Sequence, residues 1–470
     1  MDPVRDDGQV STPSPPASTP FPPAAGTGTR PPAGLPTVAP VADEHPSLPT
    51  VAPVADVLAD MDWRGLLAQT TDRAALAEAL SSAPVTLYCG FDPTGDSLHV
   101  GNLVPLFALR RFQLAGHRPI VLAGGATGFI GDPSGRTSER TLMTADVVAQ
   151  RVVRITEQMR PFFDPDTVVF ADNLDWTREL SVIDFLRDVG KHFPVSQMLA
   201  RESVSARLAG AGLSFTEFSY QLLQSLDFVE LHRRYGCTLQ IGGNDQWGNI
   251  TAGLDLLRRV TGSAAHALTF PLVTDSSGAK LGKSTGGGSV WLDPAMTSPY
   301  AMFQFLLNVD DADVGDYLRL LTFLDREQVE VLDEATRERP GARRAQRTLA
   351  RELVALVHGA QEVRKVEAAS AALFGSGALD ELDERTLSAA LEQAPSVHVE
   401  GAAPPLVELL ATGLKVSRSE ARRAVREGGA YLNNVRIAEE GQLAAEADWL
   451  HDRFLLLRKG KRSMVVVTRG

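Results

Sequence analysis

Four short apolar runs that each end in glycine or aspartate constrain the fold of this 470-residue chain more than any other feature. They are VTLYCG at 85–90, PIVLAGG at 119–125, TVVFAD at 167–172 and TLQIGG at 238–243. Amphipathic segments lie between them, and this alternation predicts βαβ units with a mainly parallel sheet. Ligands bind such sheets at the carboxyl ends of the strands. The small and acidic residues at these ends therefore predict a binding site there.

The rest of the chain divides by composition into segments of different character. Fourteen of the 29 prolines precede residue 54, which is typical of a stretch that buries too little apolar surface to fold. We therefore expect an α/β protein with a Rossmann-like parallel-sheet domain, an α-helical domain and a small α+β domain. The predicted order is a disordered Pro-rich extension at 1–56, the sheet domain at 57–296, the helical domain at 297–390, a linker at 391–404 and the small domain at 405–470.

Bulk composition excludes several classes of protein. No apolar run approaches the length of a membrane span, and the only cysteines, Cys89 and Cys237, are too few and too far apart for a disulfide framework or a zinc cage. The net charge of -12 argues against nucleic-acid binding by the chain as a whole. Residues 405–470, however, carry 12 Lys/Arg against 8 Asp/Glu, so a polyanion is expected at this end.

The stretch YCGFDPTGDSLHVGN, residues 88–102, concentrates polar groups where the first strand leads into a helix. Asp96 or Ser97 is the expected N-cap, which places His99 and Asn102 in the first turn. Free backbone N–H groups favour an anion there. Gly101 has two open interpretations: close approach of a ligand to the backbone, or packing of the helix against the strand.

A second polar stretch, KLGKS at 280–284, lies in a glycine-rich loop. Two lysines three residues apart on such a loop are suited to holding a polyphosphate. A solvated surface loop is the usual alternative, so this motif by itself is weak.

HVGN and KLGKS together, some 180 residues apart, resemble the two signatures of class I aminoacyl-tRNA synthetases. The stretches GGATGFIGDPSGRTSER, FLRDVGKHFPV, SFTEFSYQLLQSLD and LQIGGNDQWGNI narrow this to a close resemblance to bacterial tyrosyl-tRNA synthetases, from about residue 57 to 470. The resemblance implies tyrosine activation by ATP with Mg²⁺, transfer to tRNA(Tyr), and no tightly bound cofactor. It also implies a cytoplasmic homodimer with no membrane attachment.

The resemblance assigns roles to individual residues. Catalysis through the ATP phosphates is expected from His99, Thr94, Lys280, Lys283 and Asn102. The expected tyrosine contacts are Tyr88 and Asp227 at the phenol, Tyr220, Gln224 and Asp132 at the ammonium group, Gln246 at the carboxylate, and Asp92. The expected ATP contacts are Gly90, His99, Gly101, Gly243, Asp245, Lys283, Ser284, Arg136 and Arg140. The expected RNA contacts are Lys415, Arg418, Arg422, Arg423 and Arg426.

Several of these positions have simpler interpretations that remain open. Tyr220, Gln224 and Asp227 fall at i, i+4 and i+7 on one helix face, but such polar stripes usually face solvent. Asp245 suits an N-cap, and Cys89 suits either the ribose or an inert core. The arginines of the tail are also consistent with a solvated helix.

Three departures from the family pattern and two alternative functions also remain. The second signature reads KLGKS, with Leu281 and Gly282 in its middle. Asn102 replaces the second histidine of the first signature, and its amide is still expected to donate to the nucleotide. Arg136 stands where many relatives have lysine. The alternatives are the related tryptophan enzyme, which shares the fold, and a non-catalytic RNA-binding protein on the same scaffold.

Overall fold

A six-stranded sheet and a five-stranded sheet organise the chain, with α-helices around and between them. The computed structural model describes residues 53–134, 142–210, 212–274, 276, 278, 281, 288–373, 378–392, 394–401, 403–460 and 463–469. In this part of the chain no helix is long and apolar enough to cross a bilayer.

The first sheet contains all four predicted strands. Its strands in chain order are β1 (Gln69–Thr70), β2 (Thr86–Phe91), β3 (Arg118–Ala123), β4 (Val169–Asp172), β5 (Leu239–Gly243) and β6 (His266–Phe270). The spatial order is β1-β6-β5-β2-β3-β4, and every pair is parallel except the antiparallel pair of β1 and β6. The mainly parallel α/β sheet predicted from the alternating runs is confirmed, and β1 and β6 extend it on one side.

Helices cover both faces of this sheet. They are α1 (Val57–Trp63), α2 (Arg73–Ser82), α3 (Leu103–Leu114), α4 (Thr127–Ile130), α5 (Ala145–Met159), α6 (Leu174–Thr177), α7 (Val182–Asp184), α8 (Val195–Leu199), α9 (Glu202–Ala209), α10 (Phe215–Tyr235) and α11 (Trp247–Thr261). The side chains of β2 alternate between two cores: Leu87 and Cys89 pack in the core that includes α3, whereas Tyr88 packs in the core with Phe228 of α10. This two-residue period places Tyr88 and Cys89 on opposite faces of the sheet.

The remaining helices and strands form the carboxyl-terminal part. Helices α12 (Pro299–Leu307), α13 (Val314–Leu321), α14 (Arg326–Glu338), α15 (Arg344–His358), α16 (Ala360–Leu373) and α17 (Glu384–Leu391) come first. Then follow β7 (Ser396–Val399), α18 (Leu406–Leu414), α19 (Arg418–Arg426), β8 (Ala430–Leu432), β9 (Val435–Arg436), β10 (Phe454–Lys459) and β11 (Ser463–Arg469). The second sheet has the order β7-β11-β10-β8-β9.

Two of the expected segment boundaries differ from the structure. The linker predicted at 391–404 contains β7, which pairs in parallel with β11, so its backbone hydrogen bonds belong to the second sheet. Residues 1–52 of the predicted disordered extension lie outside the described residues. The last residues of that extension are ordered by contacts: Val54 N–H bonds to the Leu114 carbonyl at 3.3 Å, and Asp56 caps α1.

A buried arginine pair joins the sheet region to the helical region. Arg64 and Arg111 share the carboxylate of Asp60, with closest N···O distances of 2.9 and 3.6 Å. Arg111 is 1% exposed and donates to the Thr322 carbonyl at 2.6 Å, just beyond the end of α13. Its guanidinium also lies 4.7 Å from the ring centre of Phe323. Burial and the nearby Arg64 lower the pKa of Arg111 to about 9.

We expect Arg111→Ala to lower the free energy of unfolding by about 2–5 kcal/mol, because it leaves a cavity at a fully buried position and removes the 2.6 Å hydrogen bond to the Thr322 carbonyl. Urea unfolding followed by circular dichroism measures this. Arg326→Ala is the matched control, since Arg326 pairs with Glu330 on an exposed helix face and such pairs contribute at most about 1 kcal/mol. Equal losses in the two variants would contradict this account of the junction.

Candidate active site

Helix α10 presents three polar side chains beneath the carboxyl ends of the strands. Its first turn is fixed by Ser214, whose hydroxyl accepts from Glu217 N–H at 3.3 Å, and it ends at Gly236 in the left-handed conformation (φ 67°). Tyr220 and Asp227 are buried, and Gln224 is half-buried. The predicted polar stripe therefore faces inward and is not a solvated helix surface.

Asp227 is a buried carboxylate held by two side-chain donors. Its Oδ1 accepts from the Trp176 indole N–H at 2.9 Å, and its Oδ2 accepts from Asn173 Nδ2 at 3.0 Å. Burial raises the pKa of Asp227 to about 8, and the two donated hydrogen bonds oppose that rise. The carboxylate lies close enough to Tyr88 for its charge, together with burial, to raise the pKa of the Tyr88 hydroxyl.

A chain of hydrogen bonds links Asp227 to Asp92 across three strand ends. Asn173, just beyond β4, donates to Thr127 Oγ1 at 3.0 Å as well as to Asp227. Thr127 donates to Asp92 Oδ1 at 2.6 Å, and the Tyr220 hydroxyl donates to Asp92 Oδ2 at 2.8 Å. The two carboxylates are thereby held at fixed positions relative to each other.

Two glycines after β3 make room for neighbouring carboxylates. A Cβ at Gly124 would lie 2.0 Å from Asp92 Oδ1, and a Cβ at Gly125 would lie 2.1 Å from Asp172 Oδ1. Any side chain there would displace a carboxylate, so the GGATG stretch is required by close packing.

Three buried polar atoms near these groups have no hydrogen-bond partner among the described residues. They are the Tyr88 hydroxyl, Gln224 Oε1 and Gln240 Oε1. Tyr88 and Gln240 are paired in register on β2 and β5, and the Tyr88 ring packs edge-on against Phe228. Buried polar groups without partners are uncommon in proteins, so these three atoms are candidates for contacts with a polar ligand.

A second cluster lies where β5 leads into α11. Gln246 Nε2 donates to Asp132 Oδ2 at 2.6 Å, and Asn249 Nδ2 donates to Gln246 Oε1 at 3.2 Å. Asp245 is exposed in the short 3₁₀ turn Asn244–Gln246 that joins β5 to α11. The N-cap of this turn is Gly243 and the N-cap of α11 is Gln246, so Asp245 caps neither. A Cβ at Gly243 would lie 2.6 Å from Asp245 Oδ1, so glycine is needed for this arrangement.

His99 itself caps the turn that precedes α3, which corrects the expected caps at Asp96 or Ser97. Its Nδ1 accepts from Gly101 N–H at 3.0 Å, and its own N–H donates to Asn102 Oδ1 at 2.9 Å. The side-chain oxygen Oδ1 of Asn102 therefore stabilises the turn, and this role was not predicted from the sequence. Since Nδ1 is an acceptor, the neutral imidazole carries its proton on Nε2.

Contacts within the protein also constrain Gly101. A Cβ there would lie 2.9–3.0 Å from the His99 ring and 3.0 Å from the Leu281 carbonyl oxygen. Close packing within the protein thus already requires glycine at this position. At Gly90, by contrast, a Cβ would meet nothing within 4 Å, which leaves the backbone open to a ligand.

The other expected site residues fall into three groups. Thr94 is exposed in the loop after β2. Cys89 is buried on the opposite face of the sheet from Tyr88, and burial raises its thiol pKa to about 12, so it is an inert core residue. The remainder lie outside the described residues: Arg136, Arg140, Lys280, Lys283 and Ser284.

Sequence reasoning missed Thr127, Asn173 and Trp176, which complete the chain around Asp227. A usable signal was present, because Asn173 directly follows the predicted strand TVVFAD at its carboxyl end. Trp176 is one helical turn further along the chain. Its orientation toward Asp227 depends on the packing of α6 against α10.

The arginines predicted to bind RNA lie on α19 with their side chains 57–69% exposed. Each faces a glutamate at 3.4–3.9 Å, as in the pairs of Arg422 and Arg426 with Glu440. Lys415 ends α18 in the left-handed conformation (φ 54°). Ion pairs this exposed contribute little to stability and readily exchange for another anion.

Comparison with known proteins agrees with this geometry. The model of the family "tRNA synthetases class I (W and Y)" matches residues 80–375, and that of the "Tyrosine--tRNA ligase SYY-like C-terminal domain" matches 386–467. The tyrosine–tRNA ligase of Nocardia farcinica is 56% identical over 423 residues, which cover 88% of this chain and 98% of that protein. This chain belongs to the tyrosine–tRNA ligase family.

A second curated family member and a solved structure are also similar to this chain. The tyrosine–tRNA ligase of Streptomyces coelicolor is 55% identical over 417 residues, which cover 87% of this chain and 98% of that protein. Among solved structures, a C-terminally truncated mitochondrial tyrosyl-tRNA synthetase from Aspergillus nidulans is similar with a TM-score of 0.62 and 29% identity. The match covers 68% of this chain and 95% of that one. Membership in the class I family makes ATP a substrate.

Proposed function

We propose that this chain joins L-tyrosine to ATP, releases pyrophosphate, and transfers the tyrosyl group to the terminal adenosine of tRNA(Tyr). The observation that carries the choice of amino acid is the buried pair of Tyr88 and Asp227. A buried carboxylate beside a hydroxyl without a partner suits a phenol, which donates one hydrogen bond and accepts another. A site of this kind disfavours phenylalanine, which leaves those groups unpaired.

The backbone of the amino acid lies toward Asp92 and Asp132 in this proposal. Tyr220, Gln224 and Asp132 receive the ammonium group, with Asp92 as a further acceptor held by Tyr220. Gln246 receives the carboxylate, and Asn249 orients its amide. The distance between the two ends is set by the hydrogen bonds through Thr127 and Asn173.

The ATP end is assigned to the turn before α3 and to the start of α11. His99 Nε2–H donates to a phosphate oxygen, Thr94 assists it, and Asp245 accepts from the ribose hydroxyls. Gly90 and Gly243 allow the nucleotide to approach the backbone. Lys280, Lys283 and Ser284, with Arg136 and Arg140, are proposed to hold the pyrophosphate.

The substrate carboxylate attacks the α-phosphorus of ATP and pyrophosphate leaves, so no protein side chain acts as acid or base. The protein's contribution is to orient the reactants and to stabilise the charge that develops on the phosphates. ATP enters as its Mg²⁺ complex, so the metal ion is part of the substrate. We place this reaction in the cytoplasm.

We also propose that the chain works as a homodimer. Apolar side chains that are 42–76% exposed are concentrated between residues 182 and 215. They are Val182, Ile183, Leu186, Val195, Leu199, Leu208 and Phe215. An exposed apolar surface of this extent is characteristic of a protein interface, and a two-fold dimer covers the same surface on both copies.

The exposed face of α19 is proposed to contact the tRNA backbone. Arg418, Arg422, Arg423 and Arg426, with Lys415, provide the positive charge, and tRNA phosphates displace the glutamates that now face them. The helical region from α12 to α17 is proposed to lie on the anticodon side.

Exchange of labelled pyrophosphate into ATP tests the catalytic proposal. We expect exchange that depends on tyrosine and not on tryptophan, and a loss of about 10²–10³-fold in rate for His99→Ala with little change in the KM for tyrosine. Exchange with tryptophan would indicate the related enzyme, and no exchange at all would indicate a non-catalytic RNA-binding protein.

Tyrosine affinity should depend on pH through Asp227. Its pKa of about 8 leaves the carboxyl protonated at lower pH in the free protein, whereas a phenol that donates to it requires the ionised form. Tyrosine should therefore bind more tightly as pH rises from 6 to 8, by at most about tenfold per pH unit. Calorimetry measures the slope, which Asp227→Asn should remove. A flat affinity in the wild type would contradict the proton-coupled contact.

The dimer proposal is tested by placing a charge on its apolar surface. Phe215→Asp should shift the protein from dimer to monomer in analytical ultracentrifugation, because burial of an unpaired carboxylate opposes association. Val435→Asp is the control, since Val435 is similarly exposed at 71% but lies on β9. If Phe215→Asp and the wild type sediment identically, the exposed apolar surface between residues 182 and 215 is not a dimer interface.

The RNA proposal is tested by charge reversal on α19. Arg422→Glu with Arg426→Glu should lower kcat/KM for tRNA about tenfold or more and reduce its salt dependence, because phosphate contacts are lost. Tyrosine-dependent pyrophosphate exchange should not change. Arg73→Glu, an exposed arginine on α2, is the control. Full charging activity in the double variant would exclude this face.

A further inference from the structure

We infer that Trp291 is a positioning residue for His99, and this inference rests on the proposed tyrosine activation. Trp291 lies 192 positions after His99 in the chain, directly beyond the KLGKS loop. Neither signature includes it. Its backbone and its indole ring nevertheless both contact the turn that contains His99.

The backbone contact is a short antiparallel bridge between His99 and Trp291. Val100 N–H donates to the Val290 carbonyl at 2.9 Å, and Leu292 N–H donates to the Leu98 carbonyl at 2.8 Å. These two bonds flank His99 and Trp291 on either side. The bridge therefore fixes the register of the two segments and brings the two side chains together.

The side-chain contact is an edge-on packing of two rings. The imidazole of His99 and the indole of Trp291 have centroids 6.2 Å apart and planes inclined by 64°. The indole also lies over the preceding turn, since a Cβ at Gly95 would be 3.4 Å from its Cζ3. Such aromatic contacts restrict the orientation of a ring beyond what burial alone provides.

The backbone of the Trp291 segment is itself held from its other side. The backbone N–H of Trp291 donates to Thr297 Oγ1 at 3.0 Å, and the backbone N–H of Asp293 donates to Ser97 Oγ at 3.1 Å. The segment around Trp291 is thus tied both to α12, which begins just after Thr297, and to the turn at Ser97.

Together these contacts hold the imidazole at two points. Gly101 N–H donates to Nδ1, and the Trp291 indole packs against the ring. In the proposed reaction it is the Nε2 side of this ring that faces a phosphate oxygen. The donor must meet the phosphate in the transition state, where a misplacement of about 1 Å costs on the order of 10²-fold in rate. Trp291 therefore acts on catalysis through His99, without contacting the reacting atoms.

Trp291→Ala tests this role. We expect the rate of tyrosine-dependent pyrophosphate exchange to fall by about 10–100-fold while the KM for tyrosine changes less than about twofold, because the amino-acid pocket is separate. Trp291→Phe, which keeps a ring, should recover most of the rate. Trp63→Ala removes an indole from α1 and should exchange at nearly the wild-type rate.

A double-variant comparison distinguishes positioning from general loosening of the structure. If Trp291 acts through His99, adding Trp291→Ala to His99→Ala should slow exchange little further. A full additional loss in the His99→Ala background would overturn the inference, as would a wild-type rate in Trp291→Ala. If Trp291→Ala melts below the assay temperature, Trp291→Leu replaces it with the same expectations. Absence of tyrosine-dependent exchange in the wild type would instead refute the proposed function. The wild-type measurement therefore separates failure of the proposed function from failure of the role of Trp291.

Discussion

A buried carboxylate must be surrounded by hydrogen-bond donors, and that requirement at Asp227 determines much of the pocket's construction. Trp176 and Asn173 supply the donors, and each comes from the segment that follows β4. The position of the carboxylate therefore depends on β4 lying at the edge of the sheet next to β3 and on α10 packing across the strand ends. A rearrangement of any of these elements would leave a polar carboxyl group without hydrogen-bond partners in an apolar core.

The same requirement extends from one end of the pocket to the other. Asn173 and Thr127 connect Asp227 to Asp92, so two acidic groups with different proposed partners are held in one network. Buried networks of this kind are stabilising only when their members are satisfied. Among the described residues, the Tyr88 hydroxyl and Gln224 Oε1 lack partners, and this is the reason that they are proposed to contact the substrate.

The two ends of the pocket are built by different means. The proposed amino-acid end uses buried and half-buried side chains on α10 and at the strand ends. The proposed nucleotide end uses a short turn, in which His99 Nδ1 accepts from Gly101 N–H, Asn102 Oδ1 accepts from His99 N–H, and Trp291 is held by a two-bond bridge. The conformation of this turn depends on each of its few contacts. For this reason the single contact between the Trp291 indole and the His99 imidazole is proposed to affect catalysis.

From the sequence alone, the alternation of strands and helices predicted four strands of the first sheet and the residues that follow them. The motifs and their spacing identified the family. Periodicity also placed Tyr220, Gln224 and Asp227 on one face, although it did not indicate whether that face was buried. Tertiary structure alone decided that Asp227 is held by Trp176 and that β7 at 396–399 joins the second sheet. The physical reason is that local patterns report the conformation of a segment, whereas hydrogen bonds between groups 50 to 190 residues apart are set only when the sheet order and the helix packing bring them together.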